Sequence, residues 1–161
     1  MLERLHRAEA MLAAIPQSLP LLALRFALAV PFFRSGLTKW DGFLQLSSGA
    51  KYLFQQEFKL HILGGQFAYP LPLVSASLAG IAEIVLPILL VLGLGTRFAA
   101  IAILAMTAVI QLTIPGGWAN FHLPWAAMAL ALVVYGGGRL SLDTLLMKRP
   151  AGSGGPATRA V

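Results

Sequence analysis

Four stretches of the chain are almost continuously apolar, and shorter segments that contain polar residues, Gly or Pro separate them. The stretches cover about residues 19–37, 73–94, 98–114 and 119–135. Each is close to the roughly 20 residues that an α-helix needs to cross the hydrocarbon core of a bilayer. The pattern therefore predicts an all-α integral membrane protein, folded as a four-helix bundle.

The segments between these stretches differ in character. Residues 93–96 predict a tight turn, with Thr96 capping the next helix, and residues 115–117 (Pro-Gly-Gly) predict a break. The long segment 41–72 is amphipathic, and within it residues 50–62 alternate apolar and polar side chains at helical spacing. We expect a helix here that lies against the bilayer surface or caps the bundle.

Three regions follow from the pattern. Residues 1–18 are predicted to form a short amphipathic segment before the first span. Mixed charges and two prolines near the N-terminus argue against a signal peptide. Residues 19–149 form the transmembrane domain. Residues 150–161 are rich in Gly, Pro and Ala and predict a disordered tail.

The amino-acid composition limits the class of protein, the kinds of metal or redox site, and the partners that the chain can have. The 161 residues are 58% hydrophobic and 11% charged, whereas a soluble domain carries about 25% charged residues. The chain has no cysteine, which excludes disulfides, thiol relays and Cys-ligated zinc or iron–sulfur centres. The net charge is +6, but the basic residues flank apolar segments, so membrane lipids and not nucleic acid are the expected partners.

Basic residues are distributed unequally between the two sides of the membrane. With four spans, the side that holds both termini carries seven of them (Arg4, Arg7, Arg97, Arg139, Lys148, Arg149, Arg159), and the other carries three (Lys39, Lys51, Lys59). The positive-inside rule then predicts cytoplasmic termini. In a bacterium, the segment between the first two spans would then lie in the periplasm.

Glu83 lies near the middle of the second apolar stretch. A carboxylate in hydrocarbon costs about 2.5 kcal/mol or more unless it is paired or protonated. Arg25 and Arg34 of the first stretch are the candidate partners, and Arg25 is favoured by depth and by sharing a helix face with Gly36. The pair would be either a structural ion pair or part of a proton- or ligand-handling site. Pro87 frees the Glu83 carbonyl from its helical hydrogen bond, which favours a polar pocket over an ordinary kink.

A second polar group is expected toward the opposite side from the termini. It comprises Arg34, Lys39, Thr107, Gln111, Trp118, Asn120 and His122. These residues could hold an anionic or quinone-like head group, or they could belong to the usual interfacial belt. The histidines have no metal-ligand spacing, and Met106 and Met128 are soft Cu(I) donors or core filler, so no metal site is predicted.

Three short motifs resemble the DoxX family of small bacterial membrane proteins. They are residues 24–39, from Leu-Arg-Phe-Ala-Leu to Phe-Arg-Ser-Gly-Leu-Thr-Lys; residues 79–83 (Ala-Gly-Ile-Ala-Glu) with 93–97; and residues 138–143 (Gly-Arg-Leu-Ser-Leu-Asp). Arg34 stands where family members often have His or Gly. Residues 54–59, with Gln111 and Trp118, resemble the branch encoded beside bufferin-type, copper-linked peptide pathways.

The resemblance implies a four-helix inner-membrane protein. Some relatives are subunits of thiosulfate:quinone oxidoreductases, and others are linked to oxidative or metal stress. The leading hypothesis is an accessory or anchor subunit of a redox- or metal-stress-related system that binds a quinone or lipid, with membrane or periplasmic protein partners or further copies of itself. Arg25 and Glu83 would form its core pair, Lys39 and Arg97 would guard the two ends, and Arg34, Gln111 and His122 would complete the binding residues.

Two alternatives stay open. One is a quinone-linked oxidoreductase subunit in which Glu83 relays protons. The other is a small transporter or a copper-handling protein, since helices broken around a charge inside the membrane suit transport.

Overall fold

The structure is a computed structural model and describes residues 2–147, apart from the side chain at position 8. The predicted tail and the basic residues at 148 and 149 lie outside the described residues. The described chain contains seven α-helices: α1 (Leu2–Ala13), α2 (Ser18–Leu37), α3 (Ser48–Tyr52), α4 (Pro72–Leu92), α5 (Thr96–Thr113), α6 (Leu123–Tyr135) and α7 (Leu142–Met147).

Four helical segments are long and apolar enough to cross a membrane: α2, α4, α5 and Pro115–Tyr135. The last segment begins with a 3₁₀ turn, Pro115–Gly117, and a π-helical turn, Trp118–His122, before α6. The predicted all-α class with four spans is thus confirmed, and the ends of the first three spans agree with prediction to within two residues. Apolar runs of this length leave the backbone no alternative to internal hydrogen bonding in a bilayer.

The long helices contact one another in a ring, in the order α2, α4, α5, α6 and back to α2. Large core side chains such as Leu28, Leu90, Ile103 and Leu132 are fully buried between them. Small residues let the helices approach closely: a Cβ at Gly36 would lie 2.9 Å from Cγ1 of Ile84 and 3.0 Å from the Glu83 backbone. Close approach at small residues is the usual basis of helix association in membranes.

The antiparallel helices α2 and α4 are staggered along their axes. Gly36, one residue before the end of α2, packs on Glu83, and Arg25 contacts the last turn of α4 at Leu90. From Glu83, α4 continues to Pro72, about 16 Å at 1.5 Å per residue. We call the end near Arg25 the terminal end and the end beyond Gly36 the hairpin end. At the hairpin end α2 stops short of its neighbours.

The segment between α2 and α4 takes the place that α2 leaves. It forms a first hairpin, β1 (Trp40–Gly42) with β2 (Gln45–Leu46), then α3 and a π-helical turn, Leu53–Glu57, and then a second hairpin, β3 (Lys59–Ile62) with β4 (Gly65–Ala68). The predicted amphipathic helix over residues 50–62 is not confirmed, because helical structure ends at Glu57 and a strand follows.

Contacts with α4 and α5 hold this segment on the helices. Trp40 packs on α4, where a Cβ at Gly80 would lie 2.8 Å from the indole ring. The second hairpin lies on α5 through a hydrogen bond of 3.0 Å between His61 Nδ1 and the Leu112 carbonyl. The segment therefore covers the hairpin end and forms the roof of the space above α2.

Candidate functional site

A cavity of about 600 Å³ lies at the hairpin end, where α2 stops. Residues of α2, α4, α5, α6 and the covering segment all line it. Its walls are mainly apolar, and five aromatic side chains contribute: Phe32, Phe54, Phe58, Phe121 and Trp125. The stagger of α2 against α4 leaves this space, and the roof residues Phe54 and Phe58 cover one side of it.

Lys39 and Glu83 form an ion pair on one wall of the cavity. The Lys39 Nζ lies 2.5 Å from Oε2 of Glu83 and donates a second hydrogen bond of 3.1 Å to Ser35 Oγ. Both side chains are largely buried, at 13% and 6% exposure. A charge pair that is withdrawn from water needs such close geometry to offset the loss of hydration.

The pair leaves hydrogen-bonding capacity unused. Among the described residues, no donor reaches Oε1 of Glu83, and the ammonium of Lys39 has three donors but two acceptors. Pro87 also lacks the N–H that would bind the Glu83 carbonyl, as predicted. The wall therefore offers one cationic donor and one carboxylate acceptor to a molecule in the cavity.

His122 also lines the cavity and is 3% exposed. The Gln111 amide donates to the Pro115 carbonyl at 3.2 Å, so its oxygen is the atom that faces His122 Nδ1 at 2.6 Å. This arrangement assigns the proton of a neutral imidazole to Nδ1 and leaves Nε2 as an acceptor. Trp125 packs beside the imidazole, with ring centroids 5.5 Å apart.

The polar group expected on this side comes together only in part. Lys39 and His122 line the cavity, and Gln111 orients His122. Thr107 is buried and donates to the Ile103 carbonyl, while Trp118 and Asn120 are exposed and lie outside the lining.

Arg34 also lies away from this cavity. Its exposed side chain borders a separate apolar groove between α2 and α4, beside Phe33 and Pro87. The nine-residue spacing of Arg25 and Arg34 puts them on opposite helix faces, as the sequence indicated.

The expected Arg25–Glu83 pair is wrong. Arg25 lies at the terminal end, where Nε donates to the Leu90 carbonyl at 2.6 Å and Nη1 donates to the carbonyls of Leu140 at 2.7 Å and Gly137 at 3.1 Å. Its Nη2 donates to the Val91 carbonyl. Leu90 lies seven residues from Glu83, about 10 Å along α4. The error arises from aligning the midpoints of two helices that are in fact staggered.

Asp143, which belongs to one of the family motifs, caps the start of α5 although it lies more than 40 residues later in the chain. Its carboxylate accepts the backbone N–H groups of Gly95 at 2.6 Å and Thr96 at 2.9 Å, so the cap is Asp143 and not Thr96 as expected. Burial alone would raise the pKa of the Asp143 carboxyl, but these hydrogen bonds and the charge of Arg25 outweigh it and hold the pKa below its ordinary value.

Arg97 lies at the terminal end, exposed, beside Gly136. It therefore does not share a site with Lys39, which lies inside the cavity and does not guard an end of the protein. Within residues 2–147, no group of three His, Cys, Asp or Glu side chains is close enough to hold a metal ion.

The partner of Glu83 is Lys39, which the sequence indicated as a binding residue, whereas Arg25 and Arg34 were the candidate partners. A usable signal was the spacing of Ser35 and Lys39, four apart and so on one helix face at the end of α2. The roof aromatics had no such signal, because their position depends on how the segment folds back.

Comparisons with known proteins identify the family of this chain. The DoxX family profile matches residues 20–116. A protein of Haemophilus influenzae, described as an uncharacterized protein, is 33% identical over 146 residues, which cover 83% of this chain and 87% of that protein. No solved structure matches significantly. The chain belongs to the DoxX family and is a multi-pass membrane protein.

Proposed function

We propose that this protein is an accessory subunit of a redox- or metal-stress-related membrane system and binds a lipid-soluble molecule with a polar ring-shaped head group. The best-fitting class is a quinone or the corresponding quinol. The observation that carries the proposal is that the Lys39–Glu83 pair and His122 line one cavity whose other walls are apolar and aromatic.

The size and lining of the cavity suit such a ligand. Ligand sites are commonly about 300–1,000 Å³, mostly apolar, with a few polar groups that fix orientation. A cavity of about 600 Å³ lies within that range. Phe32 and Trp125, with ring centroids 4.9 Å apart, supply flat surfaces against which a ring can pack.

The polar groups suit both oxidation states of the head group. The Lys39 ammonium can donate to a carbonyl oxygen, whereas Oε1 of Glu83 and Nε2 of His122 can accept from hydroxyl groups. A ligand with one oxygen at each side of a ring could contact both walls. A phosphate group, in contrast, would accept from Lys39 but has no donor for the two acceptors when it is ionised.

Access from the bilayer is consistent with the exposed residues around the cavity. Ser35, Ile114 and Phe121 line it and are exposed at the surface of the transmembrane assembly. A hydrophobic molecule would therefore enter between α2 and α6 without crossing water.

An accessory role fits the residue content better than an independent redox enzyme. Without cysteine, the chain has no thiol relay and no Cys-ligated cluster, so electrons would come from or go to a partner protein. We place the protein in a bacterial inner membrane with cytoplasmic termini, because basic residues are concentrated at the terminal end. The cavity would then face the periplasmic half of the membrane.

The test is direct binding to purified protein in mild detergent. Decylubiquinone and decylubiquinol are titrated into protein in which Trp40 and Trp118 are replaced by Phe, so that the emission followed is that of Trp125, which lines the cavity. We expect saturable quenching that Glu83→Gln and His122→Phe weaken. Arg34→Gln is the matched control, since it removes an exposed charge outside the cavity. Equal quenching in all variants, or none in the parent protein, would overturn the proposal.

A second candidate is the oxidoreductase subunit in which Glu83 relays a proton. It is favoured because Glu83 lines the cavity and, among the described residues, no protein donor reaches its Oε1. It predicts that Glu83→Gln keeps quinol binding but abolishes turnover in membranes that contain the partner proteins. If binding and turnover fall together, Glu83 acts in binding.

A further inference from the structure

Three leucines of the segment between α2 and α4 have backbone conformations that favour glycine. Their φ angles are 53° at Leu44, 49° at Leu63 and 44° at Leu71, and they are all of the non-glycine residues with positive φ within residues 2–147. In this region the Cβ of an L-residue crowds the following carbonyl, so Gly, Asn or Asp usually occupies it. A leucine here needs a reason outside the backbone.

Two of these leucines occupy hairpin turns. Leu44 follows Phe43 in the turn between β1 and β2, and Leu63 precedes Gly64, with φ 82°, in the turn between β3 and β4. Two successive positive φ angles are typical of a type I′ turn, in which Asn-Gly is the preferred pair. The turn at residues 63–64 therefore carries an apolar side chain where a polar one fits the backbone better.

These turns project away from the protein. Phe43 is 97% exposed and Leu63 is 104% exposed, so neither contributes to the folded core. The turn residues Phe43, Leu44, Leu63 and Gly64 carry no charge. Contiguous apolar side chains at the tip of a hairpin are unfavourable in water and suit an apolar environment.

The two tips lie on different faces of the helical assembly. The first hairpin lies beside α2 and α4, where Phe43 and Leu44 border a groove with the exposed Ile81 and Val85 of α4. The second hairpin lies on α5. A single partner protein would have to reach both faces, whereas a bilayer surrounds the protein on every side. The groove also joins the first tip to a membrane-spanning surface.

We propose that the tips of both hairpins, Phe43–Leu44 and Leu63, insert into the lipid leaflet at the hairpin end. They anchor the covering segment, and with it the cavity roof at Phe54 and Phe58, to the membrane. The apolar environment outweighs the unfavourable turn conformation of the leucines. This proposal concerns the lipid surface and does not depend on any ligand in the cavity.

Because the chain has no natural cysteine, a thiol-reactive label attaches only at the cysteine that is introduced. Single-cysteine variants Leu44→Cys and Leu63→Cys carry a nitroxide label, and the full chain is placed in vesicles of phosphatidylethanolamine and phosphatidylglycerol. Collision of the label with oxygen, which concentrates in lipid, is compared with collision with a water-soluble nickel complex. Leu130→Cys, exposed on α6, marks lipid, and Gln56→Cys, exposed on the covering segment, marks the response of the same label outside the tips.

We expect both tip labels to collide with oxygen far more than with nickel, as at residue 130, and the Gln56 label to show the reverse. Tip labels that collide with nickel as readily as the Gln56 label would place the tips in water and overturn the proposal. Labels shielded from both reagents would mean that protein covers the tips, which would overturn it in favour of a second copy or another protein.

Discussion

The two ends of the helical assembly both bury charged side chains, but they use them differently. At the terminal end, Arg25 donates to four backbone carbonyls, and Asp143 accepts two backbone N–H groups. At the hairpin end, Lys39 and Glu83 bind each other and leave acceptor and donor capacity directed at a cavity. A buried charge whose hydrogen bonds are all made to the backbone holds helices together. A buried charge with capacity left over is suited to hold a ligand.

At the terminal end, charged side chains can bind the backbone because helix ends have unpaired backbone groups. The last carbonyls of α4 and the first N–H groups of α5 have no partner within their own helices. Arg25 supplies the donors for Leu90 and Val91, and Asp143 supplies the acceptors for α5. One arginine and one aspartate thereby join α2, the turn from α4 to α5, and the chain after α6.

Removing Arg25 is the strongest test of the difference between the two ends, because we expect it to cause the largest loss of stability. Arg25→Met keeps an apolar stem but leaves the carbonyls of Val91, Gly137 and Leu140 without donors, while that of Leu90 keeps only the Gly93 N–H. We expect a loss of about 4 kcal/mol in unfolding free energy, since each buried carbonyl left unpaired costs about 1–3 kcal/mol and such costs are not additive. The measurement is unfolding in detergent, with Arg34→Met, an exposed cation on the same helix, as the control. Equal stability of the two variants would contradict a structural role for Arg25.

A smaller loss of stability is expected at the hairpin end. Glu83→Gln removes the counter-charge of Lys39 but keeps a hydrogen-bond acceptor, and Lys39 retains Ser35. We expect a loss of no more than about 1.5–3 kcal/mol, the contribution of a hydrogen bond to a charged group. The same unfolding assay ranks it against Arg25→Met. A loss larger than that of Arg25→Met would mean that the ion pair is primarily structural.

The smallest effect concerns pH and Asp143. Because the folded-state pKa of Asp143 lies below its ordinary value of 3.8, its stabilising contribution is fully present above about pH 4 and is lost as pH falls through the folded-state pKa. Asp143→Asn should cost about 1 kcal/mol at neutral pH, as for the loss of a helix cap. It should also flatten the decline in stability on acidification, measured as unfolding midpoint against pH. A variant with the unchanged acid decline would show that other carboxyls cause it.

The spans were predictable to within a few residues because hydropathy depends on the chain's own composition over about 20 residues. The partner of Glu83 was not, because it depends on the axial offset between α2 and α4. That offset is set where Gly36 packs on Glu83 and where Arg25 meets the end of α4, contacts between residues 47 and 65 positions apart. The second hairpin was missed because the alternation in residues 50–62, which include its first strand, also fits a helix.

The sequence by itself determined that this is a four-span membrane protein with charge buried inside it. Long apolar runs cross the bilayer as helices, and ionisable residues within them avoid lipid, however the helices pack against one another. Only the tertiary structure decided which charges meet. Helix stagger separated Arg25 from Glu83 by about 10 Å along α4, and the folded-back segment closed a cavity over Lys39 and His122. A buried ion pair needs its two groups at hydrogen-bonding distance, so an offset of two helical turns prevents the Arg25–Glu83 pair. Arg25 instead binds backbone carbonyls at one end, and Glu83 lines a candidate binding site at the other.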